Sequence, residues 1–211
     1  MSETQQDVQL SRSRLSPEQR EAEILAAART LLREVGYEQF LPADVARGCG
    51  VSEGLVYRYF PTKRDLLARV ATDWLAEILA DEPDFADAPD TEAKLRRAIV
   101  YAIGVVRAEP SLTRYILLDL RAGPDYRGSA LHQLNKRFTG VIMKVLAEGI
   151  EAGDLRADID RTLIRDMIFG AVEHQTWTYL RGDGESAPEH VAESIVDVLR
   201  AGILAGLVVR G

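Results

Sequence analysis

From Ile24 onward apolar residues return every three or four positions: Ile24, Leu25, Ala28, Leu31, Leu32 and Val35. That spacing places them on one face of a helix. Its start is marked by Ser16-Pro17-Glu18-Gln19, with Ser as cap, Pro in the first turn and Gln three residues on, and Gly36 predicts its end. A second stripe, Leu66, Leu67, Val70, Trp74, Leu75 and Ile78, predicts a long helix from Lys63 towards Asp81. Past the acidic, Pro-broken stretch 82–90, helical spacing predicts elements over about 91–108, 111–122, 126–152, 160–181 and 188–209. Glu109-Pro110, Gly123-Pro124, the turn 151–160 with Gly153 as its stop, and the loop 181–188 part them. No strand-like alternation of useful length and no internal repeat interrupts this pattern. The chain reads as all-α, with about nine helices.

Between the two stripes the punctuation is dense. Pro42 opens a short helix over 43–48, and Gly50 supplies a left-handed end. Ser52 is placed to cap a second short helix, Glu53 to Tyr59, with Glu53 in its first turn. Pro61 and Thr62 stop that helix, and Thr62 with Asp65 forms a capping box for the next. Two short helices joined by a Gly-containing turn are a helix-turn-helix, whose second helix enters the major groove of DNA. Tyr37, Phe40, Val45, Val51, Leu55 and Val56 would close a small three-helix core around it.

The run V-A-x-x-x-G-V-S-x-G-x-V-Y-x-Y-F-x-x-K-x-x-L, from Val45 to Leu66, resembles the DNA-binding domain of TetR-type bacterial transcriptional repressors. The resemblance covers roughly residues 16–70; the remainder is similar only in being an all-helical region of the expected size. It implies a ligand-responsive, DNA-binding regulator, most often a repressor. The homodimer would bind an inverted-repeat operator and be released by a small, largely apolar inducer, with no cofactor. It implies a tail over 1–15, a DNA-binding head over 16–62, and a ligand-binding and dimerisation region over 63–211 whose first helix joins the two. One departure stands out: Leu41-Pro42 occupies the place where many members carry a Thr that caps the helix and touches a phosphate.

For the DNA face the candidates are Ser52, Glu53, Gly54, Tyr57, Arg58, Tyr59 and Lys63. Arg58 can pair bidentately with guanine or contact a phosphate. Glu53 can accept from a cytosine amino group or serve the helix dipole. Gly54 allows close approach, and the resemblance implies that Tyr57 and Tyr59 reach the backbone phosphates or brace the helix and that Lys63 contacts a phosphate. The polar tail, with Arg12 and Arg14, reads as disordered, either a minor-groove arm or a solvated end. For the inducer the candidates are Tyr101, Arg107, Arg114, Tyr115, His174 and Trp177, with Arg121, His132, Phe169, Glu173 and Tyr179 beside them. A dimer face is expected on the last two helices, from Met167, Ile168, Ala171 and Val172 on one and Ile195, Val198, Leu199, Gly202, Ile203 and Gly206 on the other. An ordinary intramolecular core is the alternative use of the same stripes.

Composition changes this picture little. The chain has 211 residues, 46% hydrophobic and 28% charged, which suits a soluble globular protein. The net charge of −7 is unevenly spread. Residues 12–70 hold ten Lys/Arg against eight Asp/Glu, whereas 71–211 hold sixteen against twenty-three. Duplex binding depends on the local basic face, so the acidic total does not oppose it. The single cysteine, Cys49, excludes an internal disulfide framework and suits a reducing cytoplasm. No apolar run reaches membrane-span length. Three histidines (His132, His174, His190) and no H-E-x-x-H, phosphate loop or G-x-S-x-G leave catalysis without a framework. A helical partner-binding module with a degenerate DNA head is the remaining rival.

Overall fold

The computed structural model describes residues 15–184 and 186–203, with side chains described as far as Arg200. Among these residues the chain forms nine α-helices and one π-helical turn. They are α1 (Pro17–Gln39), α2 (Pro42–Cys49), α3 (Glu53–Tyr59), α4 (Lys63–Ala80), α5 (Thr91–Ala108), α6 (Pro110–Tyr115), α7 (Ala130–Glu151), α8 (Arg161–Arg181) and α9 (Pro188–Ile203). The π turn, Ile116–Leu120, continues α6 directly. The N-terminal tail, Gly206 and its neighbours lie outside the described residues.

The helix starts follow from their caps. Ser16 and Gln19 complete a reciprocal capping box, as do Thr62 and Asp65, while the Ser52 hydroxyl accepts the Leu55 N–H at 3.3 Å. Gly50 ends α2 in the left-handed conformation, φ 63°. Leu41, at the start of α2, makes no side-chain cap hydrogen bond. Two boundaries differ from the sequence reading. Gly36 (φ 71°) kinks α1 instead of ending it, and a last turn runs to Gln39. α7 begins at Ala130 and not at 126, because Ser129 caps it by accepting the His132 N–H at 3.1 Å.

Two buried cores result. The first joins Ile24, Ala28, Leu32, Phe40, Val45, Val56 and Phe60 of the head to Leu66, Leu67 and Trp74 of α4. It runs on without a break into Val105, Leu112, Tyr115, Leu131 and Phe138. Val51 and Tyr37 pack on its edge, and Leu55 is half-buried. The second core packs α5, α7, α8 and α9 through residues such as Ile99, Ile142, Leu146, Ile168 and Leu199. Close approach at its far end depends on Gly149, where a Cβ would stand 2.6 Å from the Thr91 methyl and 2.8 Å from Leu155. Tyr101 and Phe169 touch both cores.

Candidate nucleic-acid interface and effector cavity

Val56 is buried and holds α3 to the head, so Glu53, Gly54, Tyr57 and Arg58 project outward together. Ser52 is exposed beside them. A Cβ at Gly54 would meet nothing within 4 Å, so the head's own packing does not demand glycine there. Arg58 makes no ion pair with any described residue, leaving its guanidinium available to a partner, whereas Arg47 on α2 is 2.7 Å from Asp44. Tyr59 turns back onto the first core. Lys63 also turns inward. Its ammonium donates to the Tyr37 carbonyl at 2.8 Å and lies 4.1 Å above the Tyr37 ring, and burial lowers its pKa.

At the seam of the two cores lies a cavity of about 400 Å³. Trp74, Val105, Ile116, Leu117, Leu131, Phe138, Phe169 and Val172 give it apolar walls. Two hydroxyls there are already satisfied: Thr113 of α6 donates across to the Val106 carbonyl of α5 at 3.0 Å, and Thr176 to that of Val172 on its own helix at 2.8 Å. The charged and polar lining is concentrated in Arg121, His132, Asn135, Lys136, Arg165, Asp166 and Glu173. Arg121 is paired with Glu173 at 3.0 Å and Arg165 with Asp166 at 2.7 Å; the Lys136 ammonium has no partner among the described residues. His132 Nδ1 accepts the Gly128 N–H at 3.0 Å, so in the neutral ring Nε2 carries the proton. A larger groove of about 650 Å³ between α1 and α4 is open to solvent, and its charged rim is largely paired within itself, as by Arg69 with Glu21 and Arg29 with Glu77.

Of the eleven residues expected near a ligand, Arg121, His132, Phe169 and Glu173 line the cavity, but Tyr101, Arg107, Arg114, Tyr115, His174, Trp177 and Tyr179 do not. Helical phase explains this. On α6 the cavity sees Thr113 and then Ile116 and Leu117 of the π turn, so Arg114 and Tyr115 face the head. Arg114 pairs with Glu38 at 2.9 Å, and Tyr115 is buried against Tyr37 with ring centroids 4.4 Å apart. On α8 the cavity sees Phe169, Val172, Glu173 and Thr176, leaving His174 exposed. Arg107 lies over the Tyr179 ring and donates to the Ser186 carbonyl at 2.7 Å. Asn135, Lys136 and Thr139, missed by the sequence reading, have a signal in retrospect: with His132 they form a polar stripe at helical spacing beside buried Leu131 and Phe138.

The expected dimer face divides in the same way. Met167 and Val198 are exposed (50% and 77%), whereas Ile168 and Leu199 are buried in the second core, one helical step away. Ala171 and Ile195 are half-buried, and Val172 is buried. The exposed apolar row on α8 starts with Leu163, which the sequence reading omitted, and continues through Met167. Gly202 and Ile203 lie beyond the described side chains.

This arrangement, a helix-turn-helix head fused to a helical body with a cavity at the seam of its two cores, is that of a transcription regulator of the one-chain, ligand-responsive kind. The family described as "Bacterial regulatory proteins, tetR family" matches residues 24–70, and "Tetracyclin repressor-like, C-terminal domain" matches residues 88–203. The chain belongs to the TetR family of DNA-binding transcription regulators. It is 25% identical to the fatty acid metabolism regulator protein of Bacillus subtilis (strain 168), over 86% of this chain and 94% of that one. It is 24% identical to the transcriptional repressor KstR2 of Rhodococcus jostii (strain RHA1), over 87% of this chain and 91% of that one. The crystal structure of FadR from Bacillus subtilis in complex with stearoyl-CoA superposes with a TM-score of 0.69, covering 86% of this chain and 98% of that one at 25% identity. Regulators of this family bind double-stranded DNA and small-molecule effectors and act as dimers.

Proposed function

We propose that this chain is a repressor that grips an inverted-repeat operator as a homodimer and releases it when an elongated, amphipathic molecule enters the cavity. α3 would read the major groove through Arg58 and Tyr57, with Ser52, Glu53 and Gly54 at the contact. Leu163, Met167 and Val198 would pack against the second copy. The chain would act by binding and not by catalysis, in the cytoplasm. The complex of the Bacillus relative with stearoyl-CoA makes a long-chain acyl thioester the first effector to test. The apolar walls suit the chain of such a molecule, and Lys136 and Arg165 suit its anionic part.

One observation carries the reading: the segment from Glu109 to Tyr126 has the cavity on one side and the head on the other. Thr113, Ile116, Leu117, Arg121 and Tyr126 face the cavity. On the opposite side Glu109 is buried between Arg29 and Arg33 of α1, Tyr115 stacks on Tyr37, and Arg114 meets Glu38. Arg64, near the start of α4, donates to the Asp119 and Leu120 carbonyls at 3.2 and 3.5 Å and pairs with Asp125 at 2.7 Å. A ligand that favours a different position of this segment therefore acts directly on α1 and α4. The shift it produces is set by its difference in affinity for the two states.

Selection of bound duplexes from a random pool tests the reading. The expected product is an inverted repeat whose half-sites are set by the two-fold axis. Arg58→Ala should relax one position of each half-site by about 1–3 kcal/mol. Lys63→Ala separates two roles: a phosphate contact would weaken all sequences alike and lower the salt dependence, whereas the inward lysine described here would act through stability. A folded dimer that recovers no motif at low salt would overturn the repressor assignment.

A further inference from the structure

Tyr101 is the residue that the cavity leaves unexplained. It sits on α5 one turn before Val105, whose side chain is in the cavity wall, and it packs against both cores. Its ring is 6.1 Å from that of Phe138 and 6.5 Å from that of Phe85, and Phe138 is in turn 5.6 Å from Phe169. Phe138 and Phe169 are themselves cavity walls, and the Tyr101 ring packs behind Phe138, one aromatic contact from the cavity. Its phenol oxygen is buried and has no hydrogen-bond partner among the described residues. A buried hydroxyl without a partner is costly, and Phe would fill the same aromatic cluster without that cost. Burial raises the pKa of the phenol, with Glu82 adding to the effect, so it remains a proton donor at neutral pH.

We infer that the effector site extends past Phe138 and Phe169 to Tyr101, whose hydroxyl donates to an acceptor oxygen on the buried, apolar end of the ligand. The inference rests on the cavity being the effector site and makes it more specific. The ligand class becomes an oxygenated hydrocarbon, bearing a ketone or a similar acceptor deep in its apolar part, in preference to a plain saturated chain. The path to Tyr101 requires the Phe138 ring, which is part of the cavity wall, to move aside. An oxo-acyl chain and a polycyclic ketone carry the same acceptor, and the probes separate them.

The test compares wild type with Tyr101→Phe. Binding is measured by calorimetry for stearoyl-CoA, for the same thioester carrying a mid-chain ketone, and for progesterone, while thermal melting is followed without ligand. The expected result is that Tyr101→Phe melts no lower than wild type. It should bind one of the two ketone probes about fivefold more weakly, the weight of one neutral hydrogen bond, and stearoyl-CoA with unchanged affinity. Preference for the thioester ketone would identify an oxo-acyl ligand, and preference for progesterone a polycyclic one. A lower melting temperature would show that the phenol already has a protein partner, and would overturn the inference. So would equal binding of all probes by the two proteins, even if stearoyl-CoA still released operator DNA; in that case the effector cavity stands and only the role of Tyr101 falls. If no probe binds wild type, both readings fall together.

Discussion

The proposed recognition surface of α3 comes from seven consecutive residues, whereas the cavity draws its walls from five α-helices and the π turn, spread over residues 74–176. The first is shaped by local chemistry: a hydroxyl at Ser52, a stop at Pro61-Thr62, and one buried valine to set the rotation. The second is shaped by how helices far apart in the chain come to lie side by side. Local caps can be exchanged for one another at small cost. A cavity at the junction of two cores changes whenever either core is repacked. The contrast also predicts where coupling is strongest, namely where segment 109–126 carries cavity residues on one side and head contacts on the other.

The largest effect should come from Tyr115→Ala, which removes a buried ring from the contact between that segment and α1. The expected loss is about 3–4 kcal/mol in urea unfolding. The first core is continuous from head to body, so the transition should remain single and operator affinity should fall with it. An unchanged operator affinity in the folded variant would mean that the head is independent of the segment behind it.

A smaller loss is expected from Glu109→Gln. Glu109 is 4% exposed, but its partners Arg29 and Arg33 are 26% and 54% exposed, so the penalty for breaking a buried pair is discounted to about 2 kcal/mol. The same group gives a pH dependence of known sign. Burial pushes its pKa up, and hydrogen bonds from Arg33 and Arg29 more than reverse this, leaving it lowered. Its contribution is therefore complete above the ordinary carboxyl value of about 4.3 and is lost as pH falls through the lowered folded value. The stability gap between wild type and Glu109→Gln should be constant near neutrality and narrow in strong acid. A gap that instead widened on acidification would refute the assignment.

Ser52→Ala should cost least, about 1 kcal/mol of thermal stability, since it removes a single N-cap from a seven-residue helix. Its effect on DNA binding should exceed its effect on effector binding. Equal effects on both would erase the contrast between a locally built surface and a collectively built cavity.

The same contrast explains what could be read from the chain. The caps at Ser16, Ser52 and Thr62 and the left-handed Gly50 are properties of neighbouring residues, and they appear where the sequence places them. The inward turn of Lys63 was not legible, because its acceptor, the Tyr37 carbonyl, is brought near only by the kink at Gly36. Tyr115, Arg114 and His174 have the chemistry of a binding site but the wrong helical phase, and phase depends on which neighbour each helix finds. Ile168 and Leu199 show the same limit at the expected dimer face, where one helical step separates core from surface.

Trp74 belongs to the wall of the cavity and also to that of the groove between α1 and α4. The chain has only one other tryptophan, Trp177. Replacing Trp177 with Phe would leave a single tryptophan, selectively excited apart from the seven tyrosines, between the proposed ligand chamber and the groove that borders α1. Its emission would then report filling of the chamber and displacement of α1 in one optical signal, with no label attached.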